Sequence, residues 1–363
     1  MTRQQAISCS VMRGGTSKGL YFRAEDLPSD RETQRAVLLA ALGSPDPRQI
    51  DGLGGAHPLT SKVAIVRRSQ RDDADVDYLF LQVWPDRAEV LDNQNCGNLL
   101  AGVGPFALDA GLVDITGDST NVRIWMENTA SLAGAHVDTR DGYVQYDGGA
   151  RIDGVPGTAA PVPIDFLDVA GSTCGALLPT GNALDTIDGV PVTCIDNGMP
   201  VVCLKAADVG LTGDEDPAAI EADEAVLGRI EAIRLKAGPM MDLGDVANKT
   251  VPKMSLLAPP AHGGAVGTRT LIPHRVHEAI GVFGAVSVAT ACLRPGSVAA
   301  GVAQVGAAVD GAWSLDVEHP TGSFTVTIEL AEDGSVRRSA LLRTARLLMR
   351  GEVFVPGAVW AAP

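Results

Sequence analysis

No apolar run in this chain reaches the roughly 20 residues that a membrane-spanning helix needs. The opening Met1-Thr2-Arg3-Gln4-Gln5 leads into a short strand-like segment, without the apolar stretch of a secretory signal. Cysteine is sparse, six residues in 363, and none form a C-x-x-C pair. A zinc site and a disulfide framework are therefore not expected, and reduced thiols in a cytoplasmic protein are. Basic residues are scarce beside acidic ones, 29 against 44, for a net charge of −15. That field repels nucleic acid and anionic lipid, so neither a nucleic-acid nor a membrane partner is expected. The 41 glycines follow no three-residue period, which excludes collagen and low-complexity repeats. What is present is 45% apolar and 20% charged residues over a length suited to two domains.

The chain repeats itself in order. Leu20-Tyr-Phe-Arg-Ala-Glu-Asp26 resembles Val202-Cys-Leu-Lys-Ala-Ala-Asp208, and Ser61-Lys62-Val-Ala-Ile-Val66 resembles Pro252-Lys253-Met-Ser-Leu-Leu257. Asp141-Gly142 matches Asp333-Gly334, and Val155-Pro-Gly157 matches Val355-Pro-Gly357. The expected fold is α+β and duplicated: residues 1–185 and 186–363 as two similar halves, the last strand returning to the first half. Each half would wrap a sheet around one central helix, with a ligand in the cleft between them. The central helices read as Asn95–Gly111 and about Ala279–Cys292, apolar nearly all round. Two peripheral helices are predicted. One covers about 31–42, with Ser29 and Glu32 as a capping box and Gly43 as its stop. The other covers about 217–236, with Asp216 as N-cap and Gly238-Pro239 as its stop.

The sharpest chemical signal is Asn95-Cys96-Gly97-Asn98 at a helix start. Free N–H groups and the helix dipole gather there, and both favour an anion or a reactive thiolate. The plain alternative is that Cys96 is a small buried hydrophobe. Met12-Arg13-Gly14-Gly15-Thr16-Ser17-Lys18-Gly19 lies between two strand-like runs. Its glycines, hydroxyls and cations suit an anion nest, or else an ordinary hairpin turn. His57 and Ser61 precede Lys62, which opens an apolar strand. Lys62 is either a solvated charge or, partly desolvated, a general base. His274, Arg275 and His277 stand before the second central helix and suit carboxylates; nothing completes His274 and His277 into a metal site. Asp196-Asn197-Gly198-Met199-Pro200 reads as a turn. Local cations in an acidic chain point to a small polycarboxylate. The second central helix carries no cysteine in its first turn, which argues against a two-thiol racemase.

These motifs resemble the methylaconitate isomerase branch of the diaminopimelate-epimerase-like proteins. The likeness rests on Met12–Lys18, Thr60-Ser-Lys62-Val-Ala, Asn95-Cys-Gly-Asn98, Gly175–Asn182, Thr193–Pro200 and Ile280–Ala289, and it covers nearly the whole chain. It implies a duplicated fold with a cleft between its halves and an enzyme that needs no cofactor; the acidic surface and moderate size permit a monomer or a homodimer. The implied reaction is a 1,3-proton shift on a small unsaturated tricarboxylate, within the breakdown of aromatic acids such as gallate or protocatechuate. Lys62 and Cys96 match the family's catalytic lysine and cysteine. Arg13, Thr16, Ser17, His57, Ser61, Asn95, Gly97, Asn98, Arg275 and His277 are the expected substrate-binding residues.

Overall fold

The computed structural model describes residues 3–92, 96–167, 169–272 and 275–360. It divides into two packed units, Met1–Leu167 with Leu342–Pro363, and Asp168–Leu341.

The first unit begins with a hairpin of β1 (Gln5–Gly14) and β2 (Ser17–Arg23), followed by α1 (Arg31–Leu42). β3 (Lys62–Arg68) runs parallel to β2 and antiparallel to β4 (Val76–Val83), which also pairs with the short β5 (Val90–Leu91). The central helix α2 (Gly97–Asp109) comes next. Then β6 (Ser119–Met126) runs parallel to β4, and β7 (Ser131–Asp138) and β8 (Pro161–Leu167) continue antiparallel. All but its ends of α2 is buried, and it packs on β1 to β4 and β6 to β8, so the sheet curls around it. Such a helix has no solvent face to mark with charge, which matches its uniformly apolar sequence.

The second unit repeats this plan. β9 (Asp185–Ile187) pairs with β10 (Val190–Asp196), which forms a hairpin with β11 (Pro200–Lys205). Two helices follow, α3 (Pro217–Ala222) and α4 (Glu224–Met240). β12 (Lys253–Ala258) runs parallel to β11 and antiparallel to β13 (Val266–Leu271). After α5 (Val282–Cys292), β14 (Ala312–His319) runs parallel to β13, and β15 (Gly322–Leu330) pairs with β14. The long β16 (Val336–Val355) pairs with β15 through residues 336–341 and with β1 through residues 345–355.

Register confirms the duplication residue by residue. Gly19 opposes Lys62 and Leu20 opposes Val63 in the first unit; Val201 opposes Lys253 and Val202 opposes Met254 in the second. Asp141-Gly142 and Asp333-Gly334 both lie in the connection leaving the equivalent strands β7 and β15. The fourth sequence match is not equivalent: Val155–Gly157 precedes β8, whereas Val355–Gly357 ends β16.

Several helix ends differ from expectation. α1 is capped by Asp30, whose carboxylate accepts from the Thr33 N–H at 2.9 Å, one residue after Ser29. The predicted 217–236 helix breaks at Asp223, which recaps the chain by accepting from the N–H groups of Ala225 and Val226. α4 then runs through Gly238-Pro239 to Met240. α2 has Cys96 at its N-cap, and α5 starts after Gly281.

Candidate active site

The two faces of a strand alternate, so residues two apart share a face. On β4 one face carries Tyr78, Phe80 and Gln82; across the ladder, Lys62 is directly opposite Gln82. This face looks toward α2, because the Tyr78 hydroxyl reaches the Cys96 carbonyl at 3.5 Å. Tyr21 on β2 does the same, its hydroxyl donating to the Leu99 carbonyl at 2.6 Å. Lys62 and the Cys96 end of α2 are thereby brought to one side of the sheet. The approach is close: a Cβ on Gly19 would come 2.5 Å from the Lys62 carbonyl oxygen and 3.0 Å from Leu99 Cδ2.

Lys62 is only 7% exposed. Its Nζ donates to Gln82 Oε1 at 2.6 Å and stands 5.1 Å from the centre of the Phe80 ring. Lys62 is therefore buried rather than solvated, and no ion pair holds it among the described residues. Cys96 is half-buried, is not in a disulfide and takes no capping hydrogen bond from the helix it starts. The first N–H groups of α2, from Gly97 and Asn98 onward, therefore have no cap from that side chain and no intrahelical acceptor. Burial pushes the Tyr21 and Tyr78 phenols well above their ordinary range, and the nearby Cys96 pushes the same way. Both tyrosines are thus neutral hydrogen-bond donors.

The glycine-rich turn is laid on this helix start. A Cβ on Gly15 would come 2.2 Å from Asn98 Oδ1, and φ at Gly15 is +51°, so only glycine fits there. The Thr16 N–H donates to Asn98 Oδ1 at 3.3 Å. Arg13 Nη1 holds the turn from behind through the Gly15 carbonyl at 2.9 Å and both Thr344 oxygens at 3.0 Å. Burial, helped by Arg346 opposite on β16, lowers the Arg13 guanidinium below its usual range. Ser17 is 2% exposed and its Oγ has no hydrogen-bond partner among the described residues. A buried hydroxyl in that state is unusual and is available to a ligand.

Other expected residues have different surroundings. Ser61 is fully buried and donates to Gln49 Oε1 at 2.7 Å, which ties down the 44–56 loop. His57 is exposed, and its Nδ1 accepts from the Leu59 N–H at 3.1 Å as a local cap. Asn95 and His274 lie outside the described residues. Arg275 and His277 belong to the second unit. Arg275 is exposed and approaches Glu221 at 3.6 Å. His277 Nδ1 accepts from the Ala279 N–H at 2.9 Å; burial, then Lys253, lowers its pKa. A cavity of about 340 Å³ lies at the opposite end of α2, lined by Tyr21, Arg23, Phe106, Asp109 and Arg350 among others. It contains neither Lys62 nor Cys96. Among the described residues, no cluster of His, Cys, Asp and Glu is placed to hold a metal, and no helix is long and apolar enough to cross a membrane.

Sequence reasoning missed Gln82 and Gln49. Gln82 is the one polar residue in the inner half of Tyr78-Leu-Phe-Leu-Gln82-Val83, a visible irregularity. Its meaning depends on the register that sets it against Lys62.

Comparison with known proteins follows this geometry. The family model described as PrpF protein matches residues 4–356. A (4E)-oxalomesaconate Delta-isomerase of Novosphingobium sp. (strain KA1) is 61% identical over 348 residues, 96% of this chain and 97% of that one. A 4-oxalomesaconate tautomerase of Pseudomonas putida is 60% identical over 360 residues, 99% of each chain. The crystal structure of a methylitaconate-delta-isomerase superposes with a TM-score of 0.89 at 36% identity, covering 99% of this chain and 98% of that one.

Proposed function

The chain belongs to the PrpF protein family and is an isomerase, and from that premise we propose that it shifts a proton within 4-oxalomesaconate, with Lys62 and Cys96 as its acid–base pair. The observation that carries this reading is the placement of a buried, amide-bound Lys62 amine on the same side of the sheet as the start of α2, where Cys96 stands at the N-cap position. The 60–61% identity to two enzymes named for this substrate supports the choice of acid.

The chemistry follows from the substrate. A C–H bond beside a keto group and in conjugation with a C=C bond is acidic, because its electron pair spreads into a dienolate. Lys62 Nζ takes that proton. The dienolate and its carboxylates are held by the N–H groups at Gly97 and Asn98, by the Ser17 hydroxyl and by Thr16 of the turn, which Arg13 braces through Gly15 and Thr344. Cys96 returns a proton at oxygen, giving the enol, or at the distal carbon, giving the shifted C=C bond. No atom is gained or lost, and the two groups return to their starting states when they exchange the proton. The reaction would serve the breakdown of aromatic acids such as gallate, by a cytoplasmic enzyme that uses no cofactor.

Proton NMR of 4-oxalomesaconate in D₂O, with and without the protein, tests this. Accelerated conversion with deuterium entering one position is the expected result, and the labelled position separates enol from shifted alkene. No acceleration with 4-oxalomesaconate, but turnover of 2-methylaconitate or aconitate in the same assay, would move the substrate and keep the site. Binding without any exchange would overturn the catalytic reading.

A further inference from the structure

We propose that Gln82 is a positioning residue for Lys62: a neutral acceptor that fixes the amine without holding its proton. The inference rests on the reading of Lys62 as the base. Gln82 is 3% exposed, and its side-chain amide is fully committed. Nε2 donates toward the carbonyls of Pro58 at 3.1 Å, Ser61 at 3.2 Å and Val83 at 3.2 Å. Three acceptors around one NH₂ group permit a single orientation of the amide, with Oε1 turned to Lys62 at 2.6 Å. The reverse orientation would set a carbonyl oxygen against three others and an NH₂ against the amine.

This arrangement has a chemical consequence. A long lysine side chain has four rotatable bonds and loses much entropy when held. One N–H of Lys62 is taken by Oε1, and Phe80 limits movement on the side of its ring. The amine is thereby aimed by a neutral acceptor. A glutamate at position 82 would have the same shape but would bind the ammonium form and weaken the base. An amide is the side chain that orients without adding charge. Among the described residues, Tyr21 from β2 and Tyr78 from β4 turn their hydroxyls to this face, with Cys96 close to both. Both tyrosines are pushed far above the working range by burial, so they do not compete for the proton.

The test compares Gln82→Glu, Gln82→Met and Lys62→Met for turnover of 4-oxalomesaconate across pH, with thermal melting on each. Gln82→Glu is expected to move the activity limb that rises with pH upward by about 1–3 units, with turnover recovered on the alkaline side. Gln82→Met is expected to lower kcat about 10²-fold at every pH with little change in KM, the effect of a misaimed base. If Gln82→Glu melts early, Gln82→Met decides. Wild-type kcat and an unmoved limb in the Gln82 variants, or a loss confined to melting temperature, overturn the proposal. Loss of turnover in Lys62→Met alongside wild-type Gln82 variants removes only the role of Gln82. Wild-type turnover in Lys62→Met removes the base itself.

Discussion

The two units share one strand order and one central helix, yet they finish the start of that helix in opposite ways. In the first unit the β1–β2 turn rests on Asn98, α2 takes no cap from Cys96, and the Ser17 hydroxyl is buried without a partner among the described residues. In the second unit the β10–β11 turn is tied to α5 and β16 by side-chain hydrogen bonds, although Asp196 Oδ1 and Asn197 Oδ1 stay buried without a partner among the described residues. The Asn197 N–H donates to Ser287 Oγ at 3.0 Å, and Asn197 Nδ2 donates to Thr290 Oγ1 at 2.8 Å and Ser339 Oγ at 3.0 Å. Gly198 packs against the Phe283 ring. The lysines diverge too. Lys62 and Lys253 occupy equivalent positions, but Gln82 opposes Lys62, whereas the position opposite Lys253 falls to Ile272, just past β13. Duplication supplied one frame twice, and the side chains set on it differ: a hydrogen-bonded Asn197 braces the second turn, whereas Gly15 packs on Asn98 in the first.

The largest expected effect breaks this symmetry directly. Lys62→Met and Cys96→Ser should each lower kcat by about 10²–10⁴-fold with unchanged melting, the usual range for a lost acid–base group. Lys253→Met should cost far less in kcat; an equal loss would show that both lysines act in the chemistry. Thiol alkylation of the native protein sharpens the same contrast. Burial pushes Cys174, Cys194 and Cys292 of the second unit up to about 12, and Cys9 of the first up to about 11. At pH 8, peptide mass spectrometry should find Cys96 modified first, with activity falling in step. Early modification of the second-unit thiols would contradict their burial.

Backbone space gives a smaller effect. Gly15→Ala adds a Cβ against Asn98 at a positive φ and should destabilise by about 1–3 kcal/mol in urea unfolding, with loss of kcat/KM. Gly189→Ala, at φ +77° with open space around it, should cost only about 1 kcal/mol and leave activity intact. The smallest effect is on pH dependence. Burial raises the Glu318 carboxyl, but the N–H groups of Ala261, Gly264 and His262 outweigh it and hold the pKa below 4.5. A lowered folded pKa contributes stability above the unfolded value, and that stability is lost as pH falls through the folded one. Melting temperature should therefore drop below pH 4.5 in the native chain, with a flatter profile in Glu318→Gln.

Much of this was legible in the sequence because its causes are local. The paired glycines between two strand-like runs, the all-apolar helix behind Cys96 and the lysine opening Lys62-Val-Ala-Ile-Val66 each depend on neighbours within a few residues. The duplication was legible for the same reason, since β2 and β11 carry the same pattern into the same short helical turn. Helix ends were less so, because Ser29 and Asp30 are both good caps and only the path of the chain chooses between them. Ser61 has the sequence setting of a binding residue, yet its hydroxyl is taken by Gln49, twelve positions away across a loop.

The sequence by itself determined the residue types, their order and the two-fold repetition of one plan. Tertiary structure decided which lysine is aimed, which hydroxyl is left unsatisfied and which glutamine faces an amine. Those outcomes depend on strand register and on the packing of α2 against seven strands, which join residues far apart in the chain. Shifting a strand by one residue turns every side chain to the other face, so no local pattern could have set Gln82 against Lys62.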